Sequence, residues 1–149
     1  MIRIGKTWYT EQENYMEYAE FGGTYYVRMD KGDEIISSIL DVCRKEGIVS
    51  AIFSGIGGCG ASEIQTFDPE NNTYETRELS GMLELASVNG SVATDESGNL
   101  CHHTHAMFAY KEDGEHAVAG GHLKSATVLI TAEIELRPVT GGVDRKSVV

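Results

Sequence analysis

The residues of this chain that could do chemistry are histidines gathered around one predicted hairpin. His103 and His105 stand two residues apart in "LCHHTHAMFAY", and His122 follows in "HAVAGGH". Residues i and i+2 of a strand point to the same face, so His103 and His105 share a face and His102 points to the other. Imidazoles are common ligands of zinc and other divalent transition metals. The spacing indicates either a metal site or an ordinary polar strand pair that is rich in histidine.

The predicted hairpin brings His122 close to the H-x-H pair. Its tip is "KEDGE", residues 111–115, whose central Asp-Gly is a typical two-residue turn. Pairing about residue 113 places residue 105 opposite residue 121, one position from His122. Directly opposed residues of antiparallel strands have Cβ atoms about 4.5–5.5 Å apart, so three imidazoles would converge. This arrangement predicts a three-histidine site for zinc or a similar ion, with the fourth position left to water or a ligand.

Four further residues near these strands are candidates for supporting roles. Cys101 shares the predicted face of the H-x-H pair and could be a fourth ligand or a small apolar filler, whereas His116 beside the tip is expected to be exposed. Glu84, in "MLELA", is a candidate general acid or base if its apolar neighbours bury it, because burial raises the pKa of a carboxyl group. The alternatives for Glu84 are an exposed side chain or an ion pair with Arg28. Arg28 could bind an anionic ligand or serve as an ion-pair partner only.

The elements that must position these residues are mostly strands. One segment, 33–46, carries apolar residues at spacings of three and four, which predicts an amphipathic helix. Asp30 or Asp33 is its candidate N-cap, and Gly47 its stop signal. One helix among many short strand patterns predicts an α+β fold, a compact single domain with a mainly antiparallel β-sheet and one principal helix. The strand patterns cover residues 24–29, 48–54, 62–68, 73–79, 81–92, 100–110, 116–122 and 126–139.

The glycine-rich stretch "GIGGCGA", residues 55–61, matches the letters of a dinucleotide-binding loop. Such a loop needs a helix that begins at its last glycine and binds the phosphates. The residues that follow here have the pattern of a strand and a turn. We therefore expect either a tight loop or strands that approach closely because they lack side chains.

Composition narrows the classes of partner. The 149 residues are enough for one domain, and the net charge of −11 disfavours nucleic acid and anionic membranes, which bind clustered Lys and Arg. Three cysteines without a C-x-x-C spacing argue against a disulfide framework. The first residues lack the apolar core of a signal peptide, and no stretch reaches the ~20 apolar residues of a membrane span. The expectation is a soluble cytoplasmic protein without a membrane partner.

Several motifs together resemble one family, the plants and prokaryotes conserved (PPC) domain, in its single-domain prokaryotic branch. These motifs are "YYVRMDKGDE", "SGIG", the G-x-x-E-L strand, H-x-H, "GGHL" and "AEIEL". The resemblance covers about residues 24–137. We therefore expect one domain over 1–149, with an N-terminal extension (1–23) and a flexible tail (140–149). It implies a homotrimer. It also implies a metal, most often zinc, bound by three histidines that correspond to His103, His105 and His122.

Three functions are compatible with these residues. The first is a metal-dependent site that binds or acts on a small molecule, as an enzyme or as a ligand-binding protein. The second is a DNA-binding or transcription-regulatory protein, a label that prokaryotic members often carry; the net charge and the lack of the Arg-Gly-Arg-Pro hook of the plant relatives oppose it. The third is a purely structural zinc site, which would need a fourth protein ligand such as Cys101 or a residue of a neighbouring subunit.

Overall fold

The computed structural model describes residues 16–140 of the chain. They form one helix and six strands, which confirms the predicted α+β class. No helix in this range is long and apolar enough to cross a membrane. The predicted flexible tail lies outside the described residues except for Thr140. In chain order the elements are β1 (Glu17–Phe21), β2 (Thr24–Asp30), α1 (Ile35–Glu46), β3 (Ala51–Asp68), β4 (Thr73–Thr94), β5 (Leu100–Glu112) and β6 (Glu115–Pro138).

All six strands belong to one antiparallel sheet with the order β1-β2-β6-β3-β4-β5. Strand β5 also pairs with β6, so β3, β4, β5 and β6 close into a ring. The first part of β6 pairs with β5 and its last part pairs with β2. Strand β1 falls within residues 1–23, which the sequence pattern left outside the core. The first and last strands of the described chain, β1 and β6, therefore belong to the same sheet as β5, and the histidines are carried by β5 and β6.

Alternation along the strands separates a buried inner face from an exposed outer face. In β5, Thr104, Ala106 and Phe108 are buried, whereas His103 and His105, which alternate with them, are exposed. A polar-out, apolar-in alternation is expected for an antiparallel strand that covers a core on one side. The histidines are on the outer face for this reason, and the inner face packs into the apolar core.

The helix is fixed to the sheet at its first turn. Glu34 is the N-cap, and its carboxylate accepts hydrogen bonds from two N–H groups of the first turn. It also accepts one from the backbone N–H of Ala126 in β6, at 3.1 Å. The predicted cap was wrong, because the Asp33 carboxylate accepts the N–H of Asp30 instead. The predicted stop at Gly47 is confirmed by its left-handed conformation, with φ of 68°.

The glycine-rich stretch is part of strand β3 and forms no loop. Gly57 pairs with Ala132 of β6, and the two backbones approach closely. A Cβ added at Gly57 would lie 2.7 Å from the Ala132 Cβ and 2.7 Å from the Thr131 carbonyl oxygen. The expectation of closely approaching strands is confirmed and that of a tight loop is wrong. Glycines at these positions allow one continuous strand where side chains would have forced the strands apart.

Replacing Gly57 with alanine is expected to destabilise the fold by about 1–3 kcal/mol, because the methyl group would overlap backbone that cannot move aside. Urea unfolding of the variant measures this cost as a lower midpoint. The matched control is Gly60→Ala, whose added Cβ would meet the side chain of Leu129 at 3.3 Å. Equal midpoints for the two variants would contradict this account of the glycines.

Candidate metal centre

Three histidines converge on the outer face of the sheet. His105 of β5 is directly opposite His122 of β6, and His103 precedes His105 by two residues on the same face. One ring nitrogen of each residue lies within 4.8 Å of the others. The ring centroids are 4.4 Å apart for His105 and His122, 4.9 Å for His103 and His122, and 5.3 Å for His103 and His105. The convergence expected from the sequence is therefore present.

A tight turn sets this register. Asp113 and Gly114 both have positive φ, 51° and 84°, as the two central residues of a type I′ hairpin turn require. The centre of the hairpin lies between these two residues, so residue 105 pairs with His122 and not with residue 121. The predicted register was wrong by one residue, because it was centred on Asp113 alone. In the observed register the imidazoles of His105 and His122 are in direct cross-strand contact.

The donor set fits a divalent transition metal. Zinc binds imidazole nitrogen at about 2.0–2.1 Å, which places tetrahedral ligand atoms about 3.3 Å apart. The ring nitrogens lie within 4.8 Å of one another, so ligation would draw them together by at most about 1.5 Å (4.8 − 3.3). His103 and His105 are exposed and His122 is half-buried, so solvent reaches the cluster. Imidazole donors that converge on an accessible face suit a metal with one position left for water or a ligand.

The residues directly opposite the three histidines are uncharged. Asn89 and Ser91 of β4 are directly opposite His105 and His103, and Gln65 of β3 is opposite His122. The ring of Tyr74 contacts that of His122 edge-on, with the centroids 5.3 Å apart. Sequence reasoning missed these neighbours. No local motif marks them, since they are identified only by the register of β3 and β4 against the histidine strands.

The other candidate ligands are directed elsewhere. His102 shares a hydrogen bond of 3.0 Å between its Nδ1 and the Oγ1 of Thr104, a buried residue. His116 is exposed beside the hairpin tip, as expected. Cys101 is not part of the convergent group, and its thiol donates a hydrogen bond of 3.4 Å to the carbonyl oxygen of Ala93. Within residues 16–140 the metal candidate therefore has three protein ligands.

Glu84 does not occupy the environment that its candidate role requires. Its side chain is exposed and not partly buried, so of the alternatives given for Glu84 the exposed side chain is the one observed. Glu84 pairs with Ala109, four residues along β5 from His105, which is about 13 Å at the usual rise of a strand. The outward face of the strand explains the exposure, because Leu83 and Leu85 on either side fill the core.

Arg28 is held by carboxylates of its own sheet. Its Nη2 lies 3.3 Å from the Oδ2 of Asp30 and 3.5 Å from the Oε2 of Glu17. These contacts favour the ion-pair alternative over an anion-binding role, because two negative charges already face the guanidinium. Arg28 lines an open cleft of about 700 Å³ on the outer face, which extends to Asn89, the residue opposite His105.

Comparison with known proteins assigns the family. The sequence model of the Plants and Prokaryotes Conserved domain, abbreviated PCC or PPC, matches residues 16–140. The chain belongs to this family. A search of curated proteins found no match for this PPC chain.

Solved structures of similar fold come from several prokaryotes. A PPC protein from Pyrococcus horikoshii is 32% identical, with a TM-score of 0.75 and coverage of 91% of this chain and 90% of that one. A metal-containing protein from Archaeoglobus fulgidus is 28% identical, with a TM-score of 0.71 and coverage of 89% of each chain. A candidate DNA-binding protein from Ralstonia eutropha is 27% identical, with a TM-score of 0.75 and coverage of 85% of each chain.

Proposed function

We propose that this PPC protein binds one zinc ion, or another divalent transition metal, per chain through His103, His105 and His122. The fourth position of the ion is then available for a small molecule that the protein binds or transforms. The observation that carries the proposal is the convergence of one nitrogen from each imidazole within 4.8 Å. The similar protein from Archaeoglobus fulgidus is described as metal-containing, which supports a metal in this chain.

The number and exposure of the ligands favour an open site over a structural one. Structural zinc sites are usually closed by four protein ligands, whereas catalytic or ligand-binding sites keep one position open. The convergent group has three members, and the thiol of Cys101 bonds to a backbone carbonyl. Solvent access to His103 and His105 also leaves room for an exchangeable ligand.

A calorimetric titration of the metal-stripped protein with zinc at neutral pH tests the proposal. We expect saturation at one zinc per chain, because one three-histidine group is present in each. The absence of saturable binding would exclude a metal-dependent function. Binding that needs two chains per ion would instead favour a structural zinc shared between subunits.

Zinc affinity is expected to decrease as the pH falls through about 6, because a ligating imidazole must be neutral and protons compete with the metal. The same calorimetric titration, repeated from pH 7.5 down to pH 5, measures the effect. Because three imidazoles would bind each ion, more than one proton competes with it. The affinity should therefore fall by more than tenfold per pH unit at the acidic end of this range. An affinity independent of pH in this range would indicate ligands other than histidine.

We propose that the protein assembles as a homotrimer through the outer face of the sheet. Large apolar side chains are exposed on strands of this face, and they include Ile56, Met82, Met107 and Ile130. Met82 and Ile130 both lie against Gly58, which places them in one patch. An apolar patch on a sheet face is typical of a subunit interface. Further copies of the same chain are the natural occupants, since the family resemblance implies trimers.

The alternative function is DNA binding. The similar protein from Ralstonia eutropha is described as a candidate DNA-binding protein, which favours this reading. The net charge of −11 opposes it, because DNA affinity comes largely from Lys and Arg that neutralise phosphates. A gel-shift series across salt concentrations separates the two functions. We expect no duplex binding at physiological salt, whereas tight, salt-sensitive binding would support the alternative.

A further inference from the structure

Two exposed aromatic rings lie beside the histidine cluster, on the arm formed by the end of β3 and the start of β4. Phe67 and Tyr74 are directly opposed in this arm, and their ring centroids are 5.2 Å apart. The Tyr74 ring in turn contacts the ring of His122 edge-on. The three rings therefore form one continuous chain of contacts from the metal candidate to the arm.

The aromatic pair is on the same side of the sheet as the imidazoles. Gln65 is directly opposite both His122 and Thr76, so these residues share a face. Phe67 follows Gln65 by two residues, and Tyr74 precedes Thr76 by two. Because residues two apart in a strand point to the same face, both rings are on that face. About half of the Tyr74 side chain, 51%, is exposed to solvent. This leaves apolar ring surface accessible next to the candidate metal site.

The charge balance at the cluster favours an anionic ligand. A divalent ion bound by neutral imidazoles keeps both positive charges, and the cross-strand neighbours Asn89, Ser91 and Gln65 carry none to offset them. Lys124, two residues beyond His122, is paired with Glu63 at 2.6 Å, so this pair adds no net charge. Glu78 also interacts electrostatically with Lys124, and exposed charges farther than about 8 Å from the ion are largely screened at physiological salt. The bound ion itself would therefore be the dominant local charge, positive although the whole chain is negative.

We propose that the metal site takes a small organic monoanion, a carboxylate with a flat apolar body, and that Tyr74 and Phe67 form the wall against which this body packs. The carboxylate would offset the charge of the ion. Asn89 and Ser91 are directly opposite His105 and His103, and their side chains would donate hydrogen bonds to it; the Asn89 amide donates one N–H to the Ser87 hydroxyl, at 2.7 Å, and keeps a second. Aromatic surfaces prefer stacked or edge-on contact with a flat body. This inference rests on the proposed metal site and names the class of ligand that it would bind.

Anion titrations of the full-length, cobalt(II)-loaded protein test the inference, because the visible absorption of the ion reports a change in its ligands. We expect benzoate to change the spectrum and to bind about two- to tenfold more tightly than acetate, the range that an aromatic contact supplies. Benzyl alcohol at the same concentration should leave the spectrum unchanged, since it lacks the negative charge.

The variant Tyr74→Ala should remove the preference for benzoate and leave the affinity for acetate unchanged. Phe67→Ala, which is not in the ring contact with His122, provides a second variant in case the first loses metal. The matched control is Phe21→Ala. Phe21 is 53% exposed and contacts Tyr26 at 6.0 Å, in an aromatic pair of the same kind. It lies on β1, which pairs with β2 and not with the strands that carry the histidines, and it does not line the cleft that extends to Asn89. This control should keep the full preference.

The outcomes separate the two proposals. Failure of cobalt to bind would overturn the metal site itself. A cobalt spectrum that no anion changes would leave the metal site intact and overturn the anionic ligand. Equal affinities for benzoate and acetate would overturn the aromatic wall, as would a loss of preference in Phe21→Ala equal to that in Tyr74→Ala.

Discussion

Replacement of His103 and His105 together with alanine is expected to abolish zinc binding, with a loss of affinity of more than about a hundredfold. Loss of a residue that merely supports a metal ligand costs about 10- to 100-fold, and this change removes two of the three ligands themselves. Both side chains are exposed on the outer face, so their truncation leaves no cavity in the core. Zinc competition against a chromogenic chelator measures the loss, and circular dichroism checks that the fold is kept.

The control for this double variant is His116→Ala. His116 is on the same hairpin, is exposed like His103 and His105, and is outside the convergent group. It should retain the zinc affinity of the native protein. Unchanged affinity in the double variant, or an equal loss in the control, would show that the metal ligands lie elsewhere in the chain.

Ile130→Glu is expected to convert the proposed homotrimer to monomers, the second large effect. The Ile130 side chain is 61% exposed in the single chain and contacts the same glycine as Met82 in the outer patch. In a trimer the introduced carboxylate would be buried against apolar surface, and an unpaired charge in that environment is strongly unfavourable. Light scattering coupled to size-exclusion chromatography reports the mass of each species.

Val49→Glu is the matched control for assembly. Val49 is 54% exposed and follows helix α1, away from the patch around Gly58. This variant should remain a trimer with native mass. A monomeric native protein would contradict the proposed trimer directly, whereas a trimer that persists in Ile130→Glu would show that another face forms the interface.

Much of the candidate centre was predictable because it depends on local rules. The H-x-H spacing fixes a shared face, and an Asp-Gly turn fixes which strand returns beside it. The one-residue error came from the position of the turn's centre, which a sequence pattern places only to within a residue. Tyr74 could not be predicted, because its contact with His122 depends on the pairing of β3 with β6. Such long-range register is set by the whole sheet and not by any short motif.

The fold was predictable in class but not in the length of its strands. Gly57 lies between two separate strand patterns, 48–54 and 62–68, because glycine is depleted in strands and frequent in loops, so a tight loop stayed open as one alternative. In the folded chain it is instead the position at which β3 passes close to β6. The N-cap of the helix was also misplaced, because the prediction relied on residue statistics. Glu34 was not favoured by cap statistics, but its carboxylate also accepts the distant N–H of Ala126.

Elemental analysis of the purified protein, before and after exposure to zinc at neutral pH, tests the central claim most directly. The account predicts one transition-metal ion per chain in the native protein, and none in the His103→Ala/His105→Ala variant treated in the same way. Native protein that retains no stoichiometric metal after zinc is offered would contradict the proposed function.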